Sequence, residues 1–294
     1  MLYLGCGGNC REELNRLRLY TLLGNGIGIG CFLLGILFMM SFSTGGVFLS
    51  FIGIVVLIIS SVTVGKKFTS LYKEFVCKDV IAKIFDVKEY RPKEGFDKDF
   101  VRNTYLIPVG NRYSSDDYLS GSYRGVEFER CDVCMQNVTN NGKTTTTVTY
   151  FEGSWTVFTF PKKISSYLMI REKEFLSGGR PGGIFSNAPR TDKVLFEDIH
   201  FNEKFEVYAE DEHDAFYVIT PQFMECIKTL EYKFDGRMIV GIMNQKVHIL
   251  FDTRSNALEP SMLRKVTEND FALVENEMYK IIEIMKSLEL AEVE

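Results

Sequence analysis

The chain has little of the chemistry that enzymes commonly use for acid–base catalysis or metal binding. It contains three histidines, at positions 200, 213 and 248, and no nucleophile elbow, Walker loop, zinc-protease helix or kinase motif. The net charge is -5, and acidic and basic residues are interspersed, so no basic stripe is present to neutralise a nucleic-acid backbone. These absences predict no nucleic-acid partner and leave the question of an enzymatic activity open, with a non-enzymatic role favoured.

Cysteine is also sparse: seven occur, at positions 6, 10, 31, 77, 131, 134 and 226. An odd, scattered set is not a disulfide framework, so we predict a reducing compartment. Cys131 and Cys134 have the spacing of a zinc half-site or redox dithiol, but further ligands would have to come from Cys6, Cys10, Cys77 or Cys226. Because the pair lies in a strand-like stretch, we interpret both as ordinary strand cysteines and predict no metal or cofactor. A thiol or zinc protein stays as an alternative.

A long stretch near the N-terminus of the sequence contains no charged residue. The 47 residues from 19 to 65 contain no Asp, Glu, Lys, Arg or His. One straight helix of that length would run about 70 Å, more than twice the roughly 30 Å hydrocarbon core of a bilayer. The chain must therefore turn back, and Ser43-Thr44-Gly45-Gly46 is the turn signal. We predict a transmembrane hairpin within residues 1–65, with spans at about 21–42 and 46–64.

Cations flank this hairpin at its two outer ends and are missing from its turn. They are Arg11, Arg16 and Arg18 before the first span, and Lys66, Lys67 and Lys73 after the second. The positive-inside rule then places both ends of the hairpin in the cytosol, as in a two-span plasma-membrane protein. A cleaved signal peptide is the alternative, but the first apolar run is long for one and a second span follows at once.

Four glycines alternate in the first span, at positions 24, 26, 28 and 30. They form two overlapping small-xxx-small pairs, a spacing that lets helix backbones approach closely in lipid. Packing against the second span and homodimerisation through the first are the two interpretations. Because no ionisable group lies inside either span, we interpret the hairpin as an anchor in the lipid bilayer rather than as a pore.

Residues 66–100 are predicted to form a juxtamembrane amphipathic helix and a linker. Apolar residues recur at helical spacing from Phe68 to Phe85, and Pro92 and Gly95 are expected to end the helix. Its lysines are placed to contact anionic headgroups.

Residues 101–294 are predicted to form an α+β domain with a mainly antiparallel sheet and flanking helices. Asn141-Gly142 predicts a tight hairpin. Thr220-Pro221 predicts the start of a helix, and Thr267 with Asp270 forms a capping box for a C-terminal helix. Strands are expected at 104–108, 125–128, 135–139, 144–160, 166–170, 205–208, 215–218, 238–241 and 247–251. The glycine-rich stretch 178–183 is expected to be a loop rather than a phosphate cradle, because it has no Walker lysine.

One acidic stretch has two interpretations. Glu210, Asp211 and Asp214 surround His213, and such a group would raise the pKa of the histidine or bind a cation. A solvated turn between two strands explains the same residues more simply.

Several short motifs resemble those of the bacterial domain of unknown function 3137 family. They are Asp116-Asp117-Tyr118-Leu-Ser-Gly121, Phe151-Glu-Gly153, Val194-Leu-Phe-Glu-Asp198 followed by Phe201, Phe205-Glu-Val-Tyr-Ala-Glu-Asp211 and Ala215-Phe-Tyr-Val-Ile-Thr-Pro221. The resemblance covers about residues 113–251. It implies a bacterial membrane protein with an N-terminal pair of spans and a cytosolic domain, and it implies no activity or catalytic residue.

We therefore expect an anchored cytosolic module that binds a protein or ligand at the inner face of a bacterial plasma membrane. A membrane-bound enzyme using Glu210, Asp211 and Asp214, or a thiol or zinc protein using Cys131 and Cys134, are the alternatives.

Overall fold

The computed structural model describes residues 7–40, 45–160, 162, 164, 166–173, 175, 188–256 and 258–288. The chain forms two compact units, Met1–Val80 with Leu258–Glu275, and Ile81–Ala257 with Asn276–Glu294. The predicted α+β class with an antiparallel sheet is confirmed. The boundaries expected near residues 65 and 100 stay predictions. The first unit also includes a segment from late in the chain, Leu258–Glu275, which no sequence pattern indicates.

Long helices dominate the first unit. They are α1 (Gly7–Met40) and a second helix, Gly45–Ile84, whose residues from Ile81 belong to the second unit. The second helix is made of α2 (Gly45–Ile58), a π-helical stretch (Ile59–Gly65), α3 (Lys66–Tyr72), a second π-helical stretch (Lys73–Cys77) and α4 (Lys78–Ile84). Both are long and apolar enough to cross a membrane, by length and composition. Each extends beyond the expected span on its outer side, and Ser43 and Thr44 of the expected turn lie outside the described residues.

Glycines allow α1 and α2 to pack closely. A Cβ atom on Gly35 would lie 2.5 Å from the Ser50 nitrogen, and one on Gly28 would lie 3.0 Å from the Gly53 carbonyl oxygen. A Cβ on Gly26 or Gly30, by contrast, would meet nothing within 4 Å. One half of the alternating glycine pattern therefore serves contacts inside the hairpin, and the other half lies open.

The late segment of the first unit is held by specific hydrogen bonds to α1. The Asn15 amide donates to the Val266 carbonyl oxygen at 3.0 Å and accepts from the Val266 nitrogen at 2.9 Å. The Arg18 guanidinium donates to the Leu263 carbonyl oxygen at 2.6 Å. Residues some 250 positions apart in sequence thus form one unit.

The juxtamembrane helix is amphipathic, as its spacing predicts, and Phe68 and Val76 are completely buried. Lys73 is buried as well and forms an ion pair with Glu259 at 2.7 Å. The expected end at Pro92 and Gly95 is wrong, because α4 ends at Ile84 and the chain then enters a strand.

A single sheet forms the centre of the second unit. Within the described residues its strands are β1 (Asp86–Arg91), β2 (Arg112–Tyr123), β3 (Val126–Asn140), β4 (Thr145–Thr159), β5 (Leu168–Glu172), β6 (Asp192–Val194), β7 (Phe205–Ala209), β8 (Arg237–Met243) and β9 (Lys246–Asp252). Their order is β1-β2-β3-β4-β9-β8-β5-β7-β6, and every pairing is antiparallel.

Two tight connections shape the long meander β2–β3–β4. Arg124 and Gly125, both with positive φ, form a two-residue turn between β2 and β3. The hairpin predicted at Asn141-Gly142 is confirmed, but its loop has four residues rather than two, because Asn140 pairs with Thr145.

The helices of the second unit are α5 (Lys98–Asn103), α6 (Ile199–Lys204), α7 (Glu212–Val218), α8 (Pro221–Lys233) and the last part of α9 (Glu268–Ser287). The predicted helix starts at Thr220 and Thr267 are confirmed: Thr220 caps α8, and the Thr267 nitrogen donates to Asp270 at 2.8 Å. Two strand predictions are wrong. Residues 104–108 form no strand, and 215–218 belong to α7, because the Asp211 side chain caps a helix there.

Aromatic side chains fill the core on one face of the sheet. Trp155 is completely buried and packs edge-on against Phe96 and Phe151. Its indole nitrogen donates to His248 Nδ1 at 3.2 Å. Burial, assisted by Lys246, lowers the pKa of His248 to about 3, so this histidine is a neutral acceptor.

Candidate functional site

A β-bulge in β2 organises the most unusual part of the sheet. Asp116 pairs with Asp132 and Leu119 pairs with Arg130, so Asp117 and Tyr118 together oppose the single residue Cys131. Asp117 has a φ of 55°, a left-handed conformation that costs free energy for a residue with a side chain. Bulges of this kind bend a strand and redirect its side chains, often beside functional sites.

The bulge directs Tyr118 into a groove of about 340 Å³, which we call the bulge groove. The Tyr118 hydroxyl donates to the Glu129 carboxylate at 3.1 Å, and Lys246 pairs with the same carboxylate at 3.1 Å. The Arg91 guanidinium lies 4.3 Å from the centre of the Tyr118 ring. The groove is lined by Lys88, Tyr118, Ser120, Gly121, Glu127, Phe128, Glu129, Val157, Phe158, Thr159 and Lys246.

The bulge groove offers both signs of charge at its rim. Lys88 pairs with Glu127 on one side, and Lys246 with Glu129 on another. All four side chains are at least a third exposed, so these pairs contribute little stability and exchange partners at low cost. Together with the Tyr118 hydroxyl they supply hydrogen-bond donors and acceptors beside the apolar side chains of Phe128, Val157 and Phe158.

The neighbouring bulge residue, Asp117, belongs to a buried charge cluster. It accepts a hydrogen bond from the Tyr90 hydroxyl at 2.8 Å. Close by, Arg130 binds both carboxylate oxygens of Asp132, at 2.8 and 3.2 Å, and all three charged side chains are buried. Because Arg130 and Glu129 are consecutive strand residues, the cluster and the groove lie on opposite faces of the sheet.

Burial is the main determinant of protonation in this cluster. It raises the pKa of Asp132 to about 7, against the opposing effect of Arg130, and the charges of Asp117, Asp116 and Glu277 raise it further. Burial disfavours the charged form of the Arg130 guanidinium, but the charges of Asp132, Glu277 and Asp117 outweigh this effect and raise its pKa. Asp117 of the bulge therefore lies among buried ionisable groups that influence one another's charge.

Cys131 and Cys134 do not form a joint site. Cys131 is completely buried in the aromatic core and accepts a hydrogen bond from Ser115 at 3.3 Å. Burial raises its pKa to about 12. Cys134 is half-buried three residues further along β3, and burial together with Glu152 raises its pKa. Neither thiol has the lowered pKa that redox chemistry requires.

The acidic stretch before α7 has structural roles. Glu210 accepts a hydrogen bond from the Tyr167 nitrogen at 3.2 Å, and Asp211 accepts one from the His213 nitrogen at 2.8 Å. Asp214 accepts one from the Ser166 hydroxyl at 2.5 Å. The expected turn between two strands is wrong, because the stretch joins β7 to α7. The stretch 178–183 lies outside the described residues.

The family comparison bears on this architecture. The family model described as "Protein of unknown function (DUF3137)" matches residues 149–290. This segment belongs to that family. The match begins after the Asp116–Gly121 motif and continues beyond Phe251, so its limits lie further along the chain than the resemblance suggested. Groove residues from β4 and β9 fall inside it, and the bulge itself lies before it.

A solved structure also shows similarity. The crystal structure of the mycobacterial trehalose monomycolate transport factor A, TtfA, aligns with 72% of this chain and 93% of its own, at 10% identity and a TM-score of 0.36. No curated protein matches the chain.

Proposed function

We propose that this chain is a membrane-anchored binding module. In this proposal α1 and α2 span a bacterial plasma membrane with both outer ends of the hairpin in the cytosol. The sheet unit then follows on the cytosolic side and binds a ligand, or a short segment of a protein partner, in the bulge groove.

The bulge groove is the observation that carries this proposal. A volume of about 340 Å³ falls within the range of small-molecule pockets. The groove lies beside a left-handed Asp117 and, across the sheet, a buried ion pair, both of which cost stability. Such costs are typical of a functional site, where a side chain has to be held in place.

The anchoring part of the proposal is supported by charge. Arg18 and Lys66 bracket the uncharged run, and most of its exposed side chains are apolar. A cysteine introduced by Tyr232→Cys, at a side chain 90% exposed in the sheet unit, gives a topology test. It should resist membrane-impermeant thiol reagents in intact cells and react after lysis. Reaction in intact cells would reverse the orientation.

The groove is tested with the full-length protein, purified gently in its own lipids and examined by mass spectrometry for bound molecules and partners. Ser120→Trp fills the groove without touching the buried charge cluster, and Thr146→Trp places the same side chain on an exposed part of β4. We expect a bound molecule or stoichiometric partner to be lost with Ser120→Trp and kept with Thr146→Trp. Equal retention by both variants would exclude the groove.

A homodimer is the second partner that the proposal includes. The open Gly26 and Gly30 provide a small-xxx-small pair for a second copy of α1, since Gly24 and Gly28 are already occupied within the hairpin. Gly26→Leu with Gly30→Leu should then convert a dimer in lipid to a monomer, as measured by single-molecule photobleaching. An unchanged oligomeric state would exclude this interface.

A further inference from the structure

A short loop near the end of the chain lies at the boundary of the uncharged run. It comprises residues 261–265, which we call the Leu263 loop. The Arg18 guanidinium, the last charge before the uncharged part of α1, holds the Leu263 carbonyl oxygen at 2.6 Å. The Met262 methyl group lies against Gly65, the last residue before Lys66. The loop therefore sits level with the ends of both candidate spans, although Leu263 is 245 positions from Arg18 in sequence.

The Leu263 side chain projects away from the protein. It is 83% exposed, although its backbone is fixed by Arg18 and its neighbour Val266 is buried and bonded to Asn15. A single exposed leucine is ordinary on a water-facing surface. Its position distinguishes this leucine, because an apolar side chain at the end of a membrane span would face acyl chains and headgroups instead of water.

The charges beside the loop have one predominant sign. Lys265, Lys66, Lys67 and Arg16 are all exposed, and the Arg16 guanidinium lies 5.8 Å from the ring of Tyr20, an aromatic residue at the same level. Basic side chains with an interfacial tyrosine are the usual complement of anionic phospholipid headgroups.

The acidic residues near the loop either form ion pairs with arginines or lie further from the uncharged run. Glu268 pairs with Arg11 at 3.2 Å, and Asp270 pairs with Arg264 at 2.9 Å. Glu13 lies five residues before Arg18 on α1, which corresponds to about 7 Å along the helix, away from the uncharged run.

We propose that the Leu263 loop is a membrane-surface anchor: Leu263 enters the cytosolic leaflet, and the surrounding lysines and Arg16 bind anionic phospholipid headgroups. The inference rests on the proposed spanning of the membrane by α1 and α2. It adds a third membrane contact, one that local hydropathy does not reveal because it consists of a single leucine in a polar segment.

Depth-dependent quenching of tryptophan fluorescence tests this contact. The full-length chain carries Leu263→Trp and is reconstituted into vesicles of phosphatidylcholine with phosphatidylglycerol that contain brominated acyl chains. The native Trp155 is completely buried and gives a constant background. Tyr232→Trp is the matched control in the sheet unit, and Phe51→Trp reports on the second span itself.

We expect L263W emission to be quenched, most strongly by bromines close to the headgroups, with Y232W unaffected. Replacing phosphatidylglycerol by phosphatidylcholine, or adding Lys265→Glu, should weaken the quenching. Quenching of F51W without L263W would overturn the loop contact and leave the anchoring intact. Absence of quenching in both would overturn the anchoring as well. Quenching of L263W that is equal in neutral and anionic vesicles would overturn the role of headgroup charge.

Discussion

The hairpin and the sheet unit of this protein are stabilised by opposite kinds of residue. Between α1 and α2 the close contacts occur where side chains are missing, at Gly28, Gly35 and Gly53. The largest buried side chains of the sheet unit include Trp155 and Arg130. The contrast follows from the solvent that each region faces in our proposal. Apolar burial gives no net gain between helices in lipid, so backbone proximity has to stabilise them, whereas water drives large aromatic groups into a core.

Polar contacts show the same contrast. In the hairpin, the Asn25 side chain accepts hydrogen bonds from Ser60 and Ser61, the latter at 2.9 Å, and no charge takes part. In the sheet unit a complete ion pair, Arg130 with Asp132, lies away from water. An ion pair of this kind is weak evidence for stability, and this one flanks Cys131, the residue opposite the bulge.

The largest expected effect concerns this pair. Arg130→Ala leaves two carboxylates buried without their cation, and we expect it to lower the free energy of unfolding by about 3–5 kcal/mol. Urea denaturation of the full chain in detergent, followed by Trp155 fluorescence, measures it. Arg102→Ala removes an exposed partner of Asp99 and should cost less than about 1 kcal/mol. A loss equal to that of the control would mean that the cluster is dispensable.

The second effect is a pH dependence from His248. Its pKa is about 3 in the folded chain and 6.5 ordinarily, so the unfolded chain takes up the proton first. Stability is fully present above pH 6.5 and is lost as the pH falls towards 3, by roughly 2–3 kcal/mol between pH 6.5 and 4.5. Asp132, whose pKa is raised, acts in the opposite sense over an overlapping range.

His248→Gln isolates this contribution, because glutamine still accepts from Trp155 but does not titrate. The difference in stability between the two chains should change with pH in the stated direction. Parallel pH profiles would show that His248 is not neutral in the folded protein.

The third effect tests the glycine contacts of the hairpin. Gly35→Leu would force side-chain atoms against the backbone of α2, so we expect a loss of about 1–3 kcal/mol or more. Gly30→Leu, in open space, should be close to neutral for the hairpin. SDS-induced unfolding in mixed micelles compares the two. Equal midpoints would show that α1 and α2 do not pack through Gly35.

The smallest effect on stability concerns the cysteine pair. Cys134→Ser should change the free energy of unfolding by less than about 0.5 kcal/mol. In the folded protein at pH 8, iodoacetamide should modify Cys134 and spare Cys131, whose thiol is buried with a pKa of about 12. Mass spectrometry of peptides measures both. Rapid modification of Cys131 would reopen the thiol alternative.

Local chemistry in the sequence predicts local structure well here. Thr220 before Pro221 and Thr267 before Asp270 locate two helix starts, because caps act over three or four residues. The composition of residues 215–218, Ala-Phe-Tyr-Val, favours a strand, but these residues belong to α7. The Asp211 cap and the burial of Ala215 and Val218 outweighed that propensity.

The candidate site was beyond such local rules. A bulge depends on the register between two strands, and neither Asp117 nor Tyr118 signals it alone. The bonds from Asn15 and Arg18 to the late segment join residues about 250 positions apart, and no periodicity reports such a contact. Local sequence patterns therefore indicate most of the elements, whereas the contacts that give these elements their geometry depend on residues far apart in the chain.

The pairing of β4 with β9 has a consequence for the order of events during synthesis. Strands β1 to β4 pair with their sequence neighbours and can fold as they leave the ribosome, but Ser154 finds its partner Phe251 only after almost a hundred further residues. Arg18 and Asn15 of α1 likewise form their hydrogen bonds with Leu263 and Val266 only after those late residues have been synthesised. A truncated chain would thus expose the unpaired edge of β4 and lack a stabilising part of its first unit. Residues 246–268 therefore contribute to both units, through β9 in one and through the contacts with α1 in the other.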